Sequence, residues 1–181
     1  MNTIKSMLLA SLVLLGACSS QEKVVEYAPP APSWADSRID NLTALATQQG
    51  YSVEREGDQI RLLIPVDGNF HPKRTLLLPS GLVPLSKIAQ ALKPDGNSRL
   101  TVVGHSDSDG SEELNGKLSM ERAQAVASVL RLGGIERHRM YLRAMADNQP
   151  RADSTYTGRK LNRRVEIILT PYQPTSVALA D

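Results

Sequence analysis

One cysteine, one phenylalanine and one tryptophan occur in 181 residues, and histidine appears three times. A single cysteine rules out a disulfide framework within the chain. Three scattered histidines, His71, His105 and His138, do not supply the ligand cluster that a zinc site needs. Aromatic residues make up 4%, too few for a platform that stacks bases. Charge of one sign is also scarce: the formal net charge is +2 and no basic run exceeds two residues, which argues against nucleic acid as a partner. What remains, 41% hydrophobic and 22% charged, is the composition of a globular domain, with no internal repeat.

The amino end carries a compartment signal. Lys5 and the chain amine precede Met7-Leu8-Leu9-Ala10-Ser11-Leu12-Val13-Leu14-Leu15. That apolar core of about ten residues is shorter than the roughly 20 of a spanning helix and fits a secretory signal. Leu15-Gly16-Ala17-Cys18 resembles the bacterial lipobox, in which the cysteine is lipidated. The alternative is a plain signal peptide with a cysteine near its cleavage site. Cys18 having no possible disulfide partner weighs for lipidation, because a thioether to lipid consumes the sulfur. The resemblance implies a signal peptide over 1–17, palmitate-type acylation at Cys18 and a lipid anchor in a membrane. Ser19 stands where an aspartate favours inner-membrane retention, so the implied host is the outer membrane, with the domain facing the periplasm. Residues 18–32, with Ala28-Pro29-Pro30-Ala31-Pro32, read as an extended tether.

Residues 33–50 read as a helical lead-in packed on the domain, with Ile39, Leu42, Leu45 and Ala46 on one face and Gly50 at its end. The domain proper spans 51–170. Tyr51–Arg55 and Gln59–Ile64 flank Glu56-Gly57-Asp58 and predict a hairpin, closed by Pro65. After a loop over 67–78, a helix is expected from about Leu82 to Leu92, with Leu82, Leu85, Ile88, Ala89 and Leu92 on one face. Arg99–Val103 predicts a strand. A second helix follows from about Ser119 to Leu132, with Ala123, Val126, Ala127 and Leu130 as its buried stripe and Arg122 in its first turn. Met140–Ala144 reads as a further core strand, 147–157 as a loop, and Val165–Leu169 as the last strand, before a patternless tail over 171–181. Strands alternating with helices predict an α+β fold: a βαβαβ-type two-layer sandwich of a mixed sheet with helices on one face.

The loop Gly104-His105-Ser106-Asp107-Ser108-Asp109-Gly110-Ser111 concentrates the chemistry. It fails as a nucleophile elbow, because Ser108 stands where Gly-x-Ser-x-Gly requires its second glycine. It fails as an EF-hand from Asp107, because Glu112 and Leu118 occupy the places of the required Gly and Glu. With no nucleophile, acid–base pair or metal cluster assembled, no enzyme is expected, and no cofactor.

This loop and Asn115-Gly116-Lys117-Leu118-Ser119-Met120-Glu121-Arg122-Ala123 resemble the OmpA-like peptidoglycan-binding domain. That family's pattern runs G-[HY]-[TS]-D-x-x-G, then N-x-x-L-S-x-x-R-A, and Asn162-Arg163-Arg164-Val165-Glu166 matches its third block. Phe70 and Leu77-Leu78-Pro79-Ser80-Gly81 match more weakly. Ser106 replaces the commoner threonine, and the 65–76 segment is less typical. The resemblance implies that Asp107 and Arg122 hold meso-diaminopimelate of the peptidoglycan stem peptide.

The chemistry is consistent with that implication. Diaminopimelate presents an ammonium and a carboxylate on one carbon, which a carboxylate and a guanidinium complement, and arginine grips a carboxylate bidentately. A helix amino terminus at Arg122 would favour the same anion. Ser106 and Asn115 are candidates for bonds to the peptide, and Leu118 and Phe70 are either wall or core. The alternative for Asp107 and Arg122 is a structural ion pair tying loop to helix. Asn162-Arg163-Arg164 reads first as a structural strand entry that pairs with nearby carboxylates, with a contact to the glycan peptide as the lesser alternative. The expected function is an outer-membrane lipoprotein that tethers the envelope to the wall. A second expectation is a regulatory or assembly lipoprotein, positioned by the wall for contact with an envelope protein partner through residues 33–60 or the tail.

Overall fold

The computed structural model describes residues 32–172, Lys73 apart. The signal peptide, Cys18, most of the tether and the tail beyond Tyr172 lie outside the described residues.

Helix α1 (Asp36–Gln48) leads into the hairpin β1 (Ser52–Glu56) and β2 (Gln59–Pro65). Then follow α2 (Pro79–Leu92), β3 (Ser98–Gly104), α3 (Glu112–Leu132) and a 3-10 turn at Arg137–Arg139. Strand β4 (Met140–Ala144), α4 (Tyr156–Asn162) and β5 (Arg164–Pro171) complete the domain. The sheet order is β1-β2-β5-β3-β4, parallel only between β3 and β4. The α+β sandwich with a mixed sheet is the expected one.

Four local expectations need correction. Helix α3 starts at Glu112, seven residues before Ser119, because Ser111 caps it: its hydroxyl accepts from the Leu114 amide at 3.2 Å. Glu112 and Glu113 then place negative charge against the helix dipole. Arg122 therefore lies mid-helix, and the helix terminus is not beside it. Helix α2 starts at Pro79, whose fixed φ suits a first turn; Gly81, packed against Asn69, takes the buried position there, and Leu82 is 43% exposed rather than on the buried face. Strand β4 is an edge strand with Tyr141 and Leu142 partly in solvent, not a core strand. Helix α4 occupies part of the expected loop and is capped by Thr155, whose hydroxyl accepts from the Gly158 amide at 3.2 Å.

Strand alternation sets the core. Ile60, Leu62, Ile64, Leu100, Val102, Val165, Ile167 and Leu169 point to one side, onto Leu42, Ala46, Leu85, Ile88, Ala123, Val126 and Leu130 of the helices. Among the described residues the core falls between Ala35 and Leu169, all of which a chain that begins at Ser19 retains. Gly104 lets α3 pack tightly against the sheet. A Cβ on it would lie 1.9 Å from the Ser119 carbonyl oxygen, so no other residue fits without moving the helix.

The register gives the domain two poles. The ends of β2, β3 and β4 and the start of β5 meet at one, where Pro65 opposes Arg164 and Gly104 opposes Val165. The hairpin turn, the start of β3, the end of β5 and the last turn of α3 share the other. The chain enters at this second pole, where the Ala35 amide donates to Asp58 at 3.1 Å and Arg38 grips Asp95 with two bonds, at 2.8 and 3.0 Å.

The sheet face away from the helices carries a buried polar group. Glu166, 1% exposed, pairs with Arg61 and with Arg164 Nε at 2.7 Å. Burial opposes its charge, but the two guanidinium groups prevail and hold its pKa below the usual range. His105 lies beside it, with Nε2 3.7 Å from Glu166 and neither ring nitrogen in a hydrogen bond among the described residues. Burial, then Arg164, pushes its pKa from 6.5 down to about 4, against the pull of Glu166. Between those values the unfolded chain binds a proton that the folded chain refuses, so stability rises with pH there and falls as pH drops. At ~1.4 kcal/mol per pH unit, the loss is roughly 3 kcal/mol. Chemical denaturation from pH 7 to pH 4 is expected to show this slope, and His105→Gln to remove it. An identical slope in both chains would contradict the assignment.

Candidate functional site

The loop after β3 returns to the first pole with Asp107 at its centre. Its backbone is fixed on both sides: the His105 amide donates to Arg164 O at 2.9 Å, and the Ser106 amide donates to Ala146 O at 2.8 Å. Asn115, one turn into α3 and 3% exposed, donates its side-chain amide to Asp107 O at 3.1 Å. Asn115 thus positions the loop, and its amide nitrogen is already committed.

Asp107 does not pair with Arg122. Its Oδ2 accepts from Arg163 Nη1 at 2.6 Å. The same guanidinium grips Asp67 through Nε at 2.9 Å and Nη2 at 2.7 Å. Arg163 therefore bridges two carboxylates. Hydrogen bonding from Arg163 is the leading cause that holds the Asp67 pKa below its usual value, and Asp67 in turn raises that of Arg163. The pairing expected of the Asn162-Arg163-Arg164 block is present. Asn162 ties down the preceding loop by accepting from the amides of Arg151 and Ala152 at 2.8 and 3.0 Å.

Arg122 is the contrasting group. It is 4% exposed, forms no ion pair among the described residues, and its buried Nε has no hydrogen-bond partner. Burial works against its charge, and the carboxylates of Asp107 and Asp67 offset that in part while Arg163 adds to it. The structural ion pair between Asp107 and Arg122 is thus absent. What the pole holds instead is a carboxylate already oriented by one arginine, beside a second arginine that has no counter-ion in contact.

The remaining candidates divide. The Ser106 hydroxyl is buried and unpartnered, and it makes no bond to His105. Leu118 is half-buried on α3. Phe70, 2% exposed, belongs to the core, bridged to Leu77 in a short antiparallel contact. Asp109 is a turn residue that reaches Arg159 at 3.4 Å. Asp67 is not among the sequence candidates, and the sequence favours a structural role for Arg163 over a contact to the glycan peptide. The signal for both lay in the antiparallel pairing of β2 with β5, which brings Asp67, two residues past Pro65, to Arg163. No helix among the described residues is long and apolar enough to cross a membrane, and no His, Cys, Asp and Glu grouping there could hold a metal.

Comparison with known proteins agrees with this architecture. The outer-membrane lipoprotein YfiB of Pseudomonas aeruginosa is 33% identical over 158 residues, which is 87% of this chain and 88% of that one. The peptidoglycan-binding protein ArfA of Mycobacterium tuberculosis is 35% identical over 160 residues, 84% of this chain, although the chain spans only 49% of ArfA. Among solved structures, the cell wall anchor of the type VI secretion system (T6SS) from Pseudomonas aeruginosa superposes with a TM-score of 0.66 at 29% identity. It covers 75% of this chain and 98% of its own. Residues 69–164, which contain α2, the loop of Asp107, α3 and Arg163, match the OmpA family model, and the chain belongs to the OmpA family.

Proposed function

We propose that the domain holds peptidoglycan without cutting it, gripping the meso-diaminopimelate of the stem peptide between Asp107 and Arg122. The observation that carries this reading is the buried Arg122 guanidinium, with no ion pair and an unsatisfied Nε, next to an oriented carboxylate. An arginine left so is costly unless an anion completes it. The ligand's carboxylate would do so, while its ammonium would take the Oδ1 side of Asp107, since Oδ2 is held by Arg163. Arg163 and Asp67 are positioning residues in this scheme. The names of ArfA and of the T6SS cell wall anchor speak for the same ligand class. The name of YfiB speaks for an outer-membrane lipoprotein, and with Cys18 lipidated the chain would tether envelope to wall.

A second reading rests on a separate cavity. A groove of about 510 Å³ runs between α1 and the turn at 93–97, lined by Leu42, Leu45, Leu92, Asn97 and the Arg38–Asp95 pair. It lies away from Asp107, where an envelope protein could dock on a wall-bound domain.

Sacculus sedimentation tests the first reading. Asp107→Ala and Arg122→Ala are each expected to weaken binding at least tenfold, since a lost charge-assisted contact is worth about 1.5–3 kcal/mol. Arg122→Lys is expected to recover it only in part. Variants that sediment like the parent chain would refute the pocket. Labelled palmitate is expected on the parent chain and not on Cys18→Ala; equal labelling would sink the anchor. Asn41 also lines the groove, so a partner that co-purifies with the parent chain should be lost with Asn41→Trp, and its retention would end the docking idea.

A further inference from the structure

The pole opposite Asp107 carries a different kind of surface. Lys93, Arg131 and Arg137 are exposed there, and none has a carboxylate partner among the described residues. Of the acids nearby, Asp36 pairs with Arg55, Asp95 with Arg38 and Glu56 with Arg61; Glu136, exposed next to Arg137 in the chain, faces only His138 at 3.4 Å. Asp58 accepts the Ala35 amide. Lys93 lies across Gly134, within 3.0 Å of where a Cβ on that glycine would be, which brings it to the end of α3. Leu132 projects from the same turn and is 87% exposed, the highest value among the large apolar side chains that stand in solvent. A single exposed leucine is ordinary on a protein surface; what sets this turn apart is its place beside Lys93 and Arg131, cations with no carboxylate partner among the described residues.

We propose that this pole seats on an anionic phospholipid bilayer, with Lys93, Arg131 and Arg137 against headgroup phosphates and Leu132 inserted among the upper acyl carbons. Charge complementarity selects the occupant. Basic side chains near an anionic membrane surface each strengthen binding, and a single apolar residue between them adds area buried in the interface. The topology aims the surface correctly, because residue 32 enters the domain at this pole and Asp107 and Arg122 lie at the far one. That orientation rests on the lipid anchor and the wall site proposed above. The contact itself involves residues of neither.

Vesicle sedimentation of the unlipidated chain, Ser19 to Asp181, separates the two. It is expected to sediment with vesicles containing phosphatidylglycerol, not with pure phosphatidylcholine, and to be released by salt. Neutralising the cations together (Lys93→Gln, Arg131→Gln, Arg137→Gln) should weaken partitioning on the order of a hundredfold. Leu132→Ser should weaken it about tenfold. Cooperative thermal unfolding of each variant reports the fold, and Asp107→Ala should sediment with vesicles like the parent chain. Equal binding to both vesicle types, no sedimentation, or indifference to the triple substitution would overturn the proposal. So would polyglutamate competing with vesicles while Leu132→Ser has no effect, since that outcome describes a dock for acidic protein.

Discussion

Two backbones, the end of β3 and the middle of α3, press together with only a hydrogen atom of Gly104 between them. This contact fixes the distance from the loop that carries Asp107 to the helix that carries Arg122. A methyl group there would have to displace a helix whose Ala123, Val126 and Leu130 are fully buried. The arrangement of the two charges is therefore a property of main-chain packing. Side-chain attraction does not set it, which is why the two can stand close without pairing.

Charge at the site is ordered by what each group already holds. Arg163 is held by both Asp67 and Asp107, and Asn162 and Asn115 brace the loops on either side. Among the described residues, Arg122 and the Ser106 hydroxyl keep unused hydrogen-bonding capacity. Behind the site, Glu166 between Arg61 and Arg164 binds β2 to β5 through buried charge, which resists change because removal of one member strands the others. His105 joins the two regions: its backbone amide fixes the loop and its ring lies against the buried acid.

Much of this was legible in the chain. The core stripes of α3, the hairpin around Gly57 and the loop after β3 followed from apolar period and turn residues. The start of α3 did not, because the periodic apolar stripe begins well after the cap at Ser111, and capping chemistry rather than hydrophobic period decides where a helix opens. The exposed edge position of β4 was hidden because Tyr141 and Leu142 are apolar in composition whichever place they take in the sheet. Asp67 and Arg163 are 96 positions apart and meet only through strand register, a non-local fact that no local pattern encodes.

The entry of the chain at one pole and the Asp107 loop at the other has a mechanical meaning. Tension applied at residue 32 against a hold at Asp107 runs along the strands and along the length of α1. Contacts of α1 through Leu42, Ala46 and the Arg38–Asp95 pair then share the load in shear instead of opening one after another. A pull between these two poles would therefore meet the strands lengthwise.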